Sequence, residues 1–94
     1  MEMGERRFLT GADAAKLEIR RKRIVKKFAE LYLLKQDLAK IATEKTKYSF
    51  YASTISNCLS QGVTPTKRVE ALYDIAEEMI QEEEDKIASL ANSD

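Results

Sequence analysis

The sequence predicts an all-α fold of four helices, with long first and last helices. The 94 residues include only three Gly and one Pro, so few positions disfavour a helix. Apolar residues recur three and four positions apart over long stretches, as one buried helix face requires. A chain of this length is typical of one domain. We assign residues 12–81 to that domain, between a flexible N-terminus (1–11) and an acidic C-terminal extension (82–94).

The first helix is predicted over residues 12–34. Its main apolar residues lie seven, four and three positions apart, and Arg and Lys take up much of the remaining surface. Residues with this spacing share one face of an α-helix and are expected to point to the core. They are Leu17, Ile24, Phe28 and Leu31.

The second helix is short and is predicted over residues 35–45. Leu38, Ile41 and Ala42 lie on one face of it. The residues that follow, 46–51 (TKYSFY), are poorer helix formers. We interpret them as a turn, in which Phe50 is the best candidate for burial and Tyr51 for exposure.

The third helix is predicted over residues 52–60. Ile55 and Leu59 are four positions apart and point inward, and Cys58 beside them is expected to be a small buried hydrophobic residue. Gly62 ends the helix, because glycine readily adopts the left-handed conformation found after helix C-termini.

The last helix is predicted to open at Thr64-Pro65. Threonine is a favoured N-cap, and proline is favoured at the first helical position. Val69, Leu72 and Ile80 continue at helical spacing. Twelve residues are expected to form one shared core: Leu17, Ile24, Phe28, Leu31, Leu38, Ile41, Ile55, Leu59, Val69, Leu72, Ala76 and Ile80.

The charges are distributed unevenly, although 16 Lys+Arg and 16 Asp+Glu give a net charge of zero. Residues 1–47 hold 13 bases and 7 acids, a net charge of +6, and residues 48–94 hold 3 bases and 9 acids, a net charge of −6. Such asymmetry indicates contact with nucleic acid or membrane, or an acidic interaction tail. Two solvated helices that attract each other would also produce it.

The composition excludes several kinds of site. No His and a single Cys exclude the zinc and haem sites and the catalytic triads built on those residues. No apolar run is long enough to cross a membrane, and the N-terminal MEMGERRF lacks the apolar segment of a signal peptide. We expect a cytoplasmic protein that is not an enzyme, makes no membrane contact, and binds no cofactor, metal or small-molecule substrate.

The two short helices suggest a helix-turn-helix, so the full prediction is a four-helix helix-turn-helix bundle. Helices that cross steeply need small residues where their backbones approach, and Ala39 is one such residue. The outer face of the second helix of such a motif enters the DNA major groove and stays polar. Here that face would carry Tyr51, Ser53, Ser56 and Asn57, whose side chains suit base edges and phosphates.

Three short motifs follow one another along the middle of the chain: LAKIA at 38–42, STIS at 53–56 and GVTP at 62–65. Together they resemble lactose-repressor-type headpieces and, more broadly, lambda-repressor-like helix-turn-helix domains. The resemblance covers roughly residues 36–75. The turn is three to six residues longer than is usual in that family, and the family's turn glycine is absent; Thr46 is nearest to its place.

The resemblance implies sequence-specific binding to double-stranded DNA and repressor-like regulation of transcription. Ile55 and Leu59 would then be core residues, and Thr64 and Lys67 would lie near phosphates. The full set of expected DNA-binding residues is Lys47, Ser49, Tyr51, Ser53, Thr54, Ser56, Asn57, Thr64 and Lys67. A supporting phosphate-binding patch is expected from Arg20, Arg21, Arg23, Lys26 and Lys45.

A homodimer is expected, because one motif reads few base pairs and a second copy adds a half-site. The first helix, or the end of the last helix around Ile80, Ile87 and Leu90, would form its interface. The alternative to DNA binding is a protein–protein interaction module or adaptor that uses the basic first helix and the acidic last helix. Pairing of the bases with residues 77–85 would favour this alternative.

Overall fold

The computed structural model describes residues 9–91, and that range forms four α-helices and no strand. They are α1 (Gly11–Leu31), α2 (Lys35–Lys45), α3 (Ala52–Cys58) and α4 (Lys67–Ala91). The prediction of an all-α, four-helix fold with long first and last helices is confirmed. Most of the predicted flexible N-terminus (1–8) and the last three residues of the predicted extension (92–94) lie outside the described residues.

Helices α1 and α4 pack side by side and run parallel. The Leu9 backbone N–H donates to the Pro65 carbonyl at 2.8 Å just before both helices begin. Further along, Arg20 pairs with Glu77 and Lys27 with Glu84, and each pair is separated by 57 positions in sequence. A constant separation over two helical turns requires parallel axes. A residue of α1 is therefore level with the α4 residue 57 positions later.

Helix α1 ends three residues before its predicted end, because the chain turns at Tyr32. Tyr32 has a φ of 57°, in the left-handed region. Its N–H donates to the Ala29 carbonyl at 3.4 Å, and the Leu33 N–H donates to the Phe28 carbonyl at 2.9 Å. These two bonds satisfy helix-end carbonyls in the way that a glycine terminator usually allows. A tyrosine in this role carries no such signal in the sequence.

The predicted start of α4 at Thr64-Pro65 is wrong. The helix begins at Lys67, and the Thr66 hydroxyl accepts a hydrogen bond from the Val69 N–H at 3.1 Å. Thr66 is therefore the N-cap, two residues after the predicted one. Helix α4 then continues without a break to Ala91. Helix α3 ends at Cys58, two residues earlier than predicted.

The core lies between α4 and the other three helices. Ten of the twelve predicted core residues are buried, and Leu31 and Ile41 are only half-buried. The predicted burial of Phe50 and Cys58 is confirmed. Tyr73 is completely buried, and its hydroxyl donates to the Cys58 carbonyl at 2.6 Å. Burial raises the pKa of the Tyr73 phenol above its ordinary value, so this hydroxyl stays a donor.

Ion pairs join the basic side of α1 to the acidic side of α4. Arg20 donates to Asp74 at 2.7 Å and to Glu77 at 3.0 Å, and Lys27 donates to Glu84 at 2.7 Å. Burial acts against the charge of Arg20, but its bonds to Glu77 and Asp74 outweigh this and raise its pKa. The hydrogen bond from Lys27 lowers the pKa of Glu84. Part of the charge asymmetry is therefore taken up by pairing between these two helices.

Within the described range, no helix combines the length and the apolar character that crossing a bilayer would need.

We expect acid to destabilise the α1–α4 contact. The folded-state pKa of Glu84 lies below its ordinary value of 4.5, so its stabilisation is complete above that pH. It is lost as the pH falls below 4.5 through the folded-state pKa. Thermal unfolding followed by circular dichroism should show a lower Tm at pH 3 than at pH 7. The variant Lys27→Met should lose less Tm over this interval, and an equal loss would contradict the role of the pair.

We expect Tyr73→Phe to lower the free energy of unfolding by about 1–3 kcal/mol, because the buried Cys58 carbonyl would lose its donor. Tyr48→Phe is the matched control. Tyr48 is half-buried, and its hydroxyl makes no hydrogen bond within residues 9–91. Urea unfolding measures both variants. Equal effects of the two substitutions would show that the Tyr73–Cys58 bond contributes nothing.

Candidate nucleic-acid interface

The turn before α3, residues 46–51, is held by side-chain hydrogen bonds at its beginning. The Thr46 hydroxyl donates to the Ala42 carbonyl at 2.7 Å and so satisfies the C-terminal end of α2. The same oxygen accepts a bond from the Tyr48 N–H at 3.1 Å. Threonine hydroxyls are known to replace backbone partners in this way. The first half of the turn is therefore attached to the end of α2.

The second half of the turn is fixed by Phe50. Its ring is buried, its N–H donates to the Thr43 hydroxyl at 2.8 Å, and that hydroxyl donates back to the Phe50 carbonyl at 3.1 Å. Arg68 of α4 donates to the Ser49 carbonyl at 2.8 Å and lies 4.6 Å from the centre of the Phe50 ring. Helices α2 and α4 thus determine together where α3 begins.

The other end of α3 is held by α1 and α4. Its last carbonyls have no partner within so short a helix. Tyr73 donates to the Cys58 carbonyl, and the buried Arg21 donates to the Leu59 carbonyl at 3.2 Å. Arg21 is itself oriented by Glu18, to which it donates at 3.1 Å and 2.6 Å. The bond from Arg21 lowers the pKa of Glu18, so the carboxylate stays charged near neutral pH.

The outward side of α3 is polar and exposed. Ser53, Ser56 and Asn57 are exposed, whereas Thr54 is half-buried. Tyr51, the N-cap residue of α3, is 70% exposed. In the part of the chain that the structure describes, the side chains of Ser53 and Asn57 make no hydrogen bond. These groups contribute nothing visible to the fold, although the helix that carries them is fixed at both ends.

The surroundings of this face are basic. Residues 45–69 hold four Lys+Arg and no Asp or Glu. The Lys35 ammonium, at the start of α2, reaches the Ser56 hydroxyl at 3.5 Å. Lys47 is exposed and lies 5.5 Å from the centre of the Tyr48 ring. Lys67 is exposed at the first position of α4, next to Arg68, which contacts the turn. A negatively charged ligand would meet no acid on this segment.

The structure brings together most of the residues predicted to bind DNA. Ser49 and Tyr51 lie in the turn, and Ser53, Thr54, Ser56 and Asn57 lie on α3. Lys47 lies in the same turn. Thr64 is exposed in the segment between α3 and α4, and its side chain makes no hydrogen bond within residues 9–91.

The predicted phosphate-binding patch is divided. Arg20 is paired with α4, and Arg23 lies 3.9 Å from Glu77. Lys45 lies 3.5 Å from Glu78, and Arg21 is buried beneath α3. Lys26 is exposed on α1 and makes no salt bridge among the described residues. The parallel register of α1 and α4 thus places Arg20 and Arg23 opposite acids instead of beside α3, and Lys45 meets an α4 acid from α2.

Lys35, Arg68 and Thr43 contribute to the site and were not predicted to. A lysine at the start of a helix is unfavourable for the helix dipole, and this was the only signal in the sequence for Lys35. Arg68 lies within the range that the resemblance covers, but no role was expected for it. Thr43 and Thr46, two hydroxyl residues at the end of a helix, indicate local bonds to the backbone.

No protein-family model, curated protein or solved structure matches this chain. Among the described residues, no group of His, Cys, Asp and Glu side chains could hold a metal ion.

We expect Arg68→Met to loosen the turn, because the substitution removes both the bond to the Ser49 carbonyl and the contact with the Phe50 ring. Hydrogen exchange should become faster at the Tyr48 and Phe50 amides, which face the turn. The control is Lys67→Met, which removes an adjacent exposed base that makes no salt bridge in the described range. Unchanged exchange in Arg68→Met would show that the arginine does not hold the turn.

Proposed function

We propose that this chain is a sequence-specific DNA-binding protein that uses the outer face of α3 and regulates transcription. One observation carries the proposal. Helix α3 is held at both ends by neighbouring helices, yet the outer Ser53 hydroxyl and Asn57 amide make no hydrogen bond among the described residues. A rigidly placed helix with unused polar groups and no nearby acid on its segment is suited to the major groove.

The side chains on this face match the chemistry of base edges. Asn57 can bond to adenine through both atoms of its amide, and the Ser53 and Ser56 hydroxyls can donate or accept. Tyr51, at the start of α3, presents an exposed ring and a hydroxyl where the N-terminal residues of a recognition helix meet the DNA. Specificity would come from Asn57 and the two serines.

The bases around α3 would supply contacts to phosphates. Three exposed lysines surround α3: Lys35 at the start of α2, Lys47 in the turn and Lys67 at the start of α4. Each phosphate neutralised releases counterions, so three contacts would give a slope of about −2.7 for the logarithm of affinity against the logarithm of salt concentration. Arg20, Arg21, Arg23 and Lys45 are left out of this set, because they pair within the chain.

The resemblance to lambda-repressor-like domains supports the same proposal through LAKIA, STIS and GVTP. The longer turn is compatible with it, because residues 46–51 are attached to α2 and α4 throughout. The bonds of Thr43, Thr46 and Arg68 would fix the position of α3 relative to α2, as the short glycine turn does in that family. The angle between α2 and α3 is then set by these bonds.

A protein–protein interaction module is the second candidate. The pairing of Arg20, Lys27 and Lys45 with α4 acids favours it, because few bases of α1 remain for phosphates. Such a module would use the exposed surfaces of α1 and the end of α4. It would bind DNA weakly or not at all at low salt, so one titration separates the two candidates.

The test is a fluorescence-anisotropy titration of the full chain with mixed duplex DNA at low and moderate salt. We expect binding at low salt that weakens steeply as salt is added. A random duplex pool then selects the preferred sequence. Absence of binding at low salt, or binding that salt does not affect, would rule out the DNA proposal.

We expect Asn57→Ala and Lys47→Ala to differ on the selected sequence. Asn57→Ala should lower discrimination against a mismatched base by about 1–3 kcal/mol, and Lys47→Ala should weaken binding to all sequences alike. Lys16→Ala, which removes an exposed base of α1 that makes no salt bridge among the described residues, is the control and should leave both properties unchanged. Equal effects of Asn57→Ala on all sequences would show that α3 does not read bases at that position.

A further inference from the structure

A cleft of about 410 Å³ separates the second half of α1 from α3. Its walls are mainly apolar, with the ammonium of Lys35 from α2 and two hydroxyls, of Ser56 and Ser60, at the α3 side. Its lining residues include Val25, Ala29, Leu33, Lys35 and Ser56. Among residues 9–91, no acid lines it. The cleft thus combines apolar surface with a single positive charge.

The end of α4, here called the tail (residues 82–91), is the opposite in charge. It carries four consecutive acids, Glu82 to Asp85, against one Lys86. Glu84 pairs with Lys27 and Glu83 with Lys86, so the acids that make no salt bridge within residues 9–91 are Glu82 and Asp85. Every residue from 85 to 91 is exposed, and Ile87 exposes 46% of its surface. A helix end with so little packing gains little stability from the rest of the domain. Covering Ile87 would therefore be favourable.

The cleft and the tail lie at the same end of the molecule. Parallel packing with an offset of 57 positions makes Val25 level with Glu82 and Ala29 level with Lys86. A two-fold axis placed across this end would bring the tail of each copy towards the cleft of the other. Most homo-oligomers have such closed symmetry, in which the same two surfaces meet twice.

Charge favours docking of the tail in the cleft of a second copy over contact between two tails. Two tails side by side would place acids against acids. At the cleft, the tail would meet Lys35, and also Lys22 and Lys26, which are exposed on α1 one helical turn before Val25 and Ala29. None of these three lysines makes a salt bridge within residues 9–91. The cleft of a second copy is thus the complementary surface that the chain itself offers.

We propose that the protein forms a reciprocal homodimer, in which the tail of each copy occupies the cleft of the other. Ile87 packs among Val25, Ala29 and Leu33, and Glu82 and Asp85 of the tail face the lysines. This dimer differs from the one expected from sequence. It uses two different surfaces, and Ile80, one of the expected contact residues, is buried within its own chain.

The dimer has a consequence that rests on the proposed function. Lys35 and Ser56 line the cleft and also belong to the face proposed to bind DNA. A docked tail covers them with carboxylates, so this dimer and the DNA complex exclude each other at these two residues. The tail would then hold the protein in a state that does not bind DNA, and dilution or DNA would release it.

Sedimentation of the full chain without DNA tests the dimer separately from DNA binding. We expect a concentration-dependent dimer that weakens as salt is added. Ile87→Gln and Ala29→Glu should each raise the dimer dissociation constant by about tenfold or more. Both positions are exposed, so circular dichroism should show an unchanged fold.

The matched controls are Ile19→Gln and Ala15→Glu, which make the same changes at exposed positions of α1 outside the cleft. They should leave the dissociation constant unchanged. The decisive measurement mixes Ile87→Gln with Ala29→Glu, since one intact tail then faces one intact cleft. The mixture should associate more strongly than either variant alone.

A monomer at all concentrations, equal effects of the controls, or no gain on mixing would overturn the dimer. If the dimer is found, Ile87→Gln should bind duplex DNA more tightly than the unmodified chain at concentrations where that chain is dimeric. Tighter binding supports competition between tail and DNA, and unchanged binding overturns the competition while leaving the dimer in place.

Discussion

Helix α3 is too short to hold itself in place, and much of the molecule is arranged around that constraint. A helix of seven residues has little cooperative stability, and its terminal carbonyls need outside partners. Arg68 and Thr43 fix the turn at one end, and Tyr73 and Arg21 satisfy carbonyls at the other. Three separate helices therefore determine the direction of α3, and the Ser53 and Asn57 side chains on its outer face make no hydrogen bond within residues 9–91.

The parallel packing of α1 on α4 determines which charged side chains are paired and which remain available to a partner. Bases and acids that appear in sequence as two blocks of opposite charge meet across this contact at Arg20 and Lys27. The charge that remains outside it is what any partner encounters: lysines near α3 and α1, and acids on the tail. The lysines near α3 form part of the proposed DNA-binding face. Together with the lysines of α1, they would also attract the acidic tail of a second copy.

A periodic pattern of apolar residues predicts which side of a helix is buried, but not what the polar side contacts. It identifies a buried apolar face, and ten of twelve predicted core residues are buried. It cannot tell whether a base on the polar side of a helix meets water or another helix. Arg21 was therefore assigned to a phosphate patch, although it is buried beneath α3. The exposed residues of α3 were anticipated because inward Ile55 and Leu59 leave only the opposite side for Ser53, Ser56 and Asn57.

The all-α class, the four helices and most of the core can be read from the residues alone, because helix propensity and apolar spacing act locally along the chain. The bonds of Arg68 depend on the packing of α4 against the turn, whereas the end of α1 at Tyr32 and the N-cap at Thr66 rest on local hydrogen bonds. Each depends on a contact between residues that pattern rules treat as ordinary. The partners of the charged side chains also depend on tertiary structure. Two helices must be in register before a base on one helix lies beside an acid on the other.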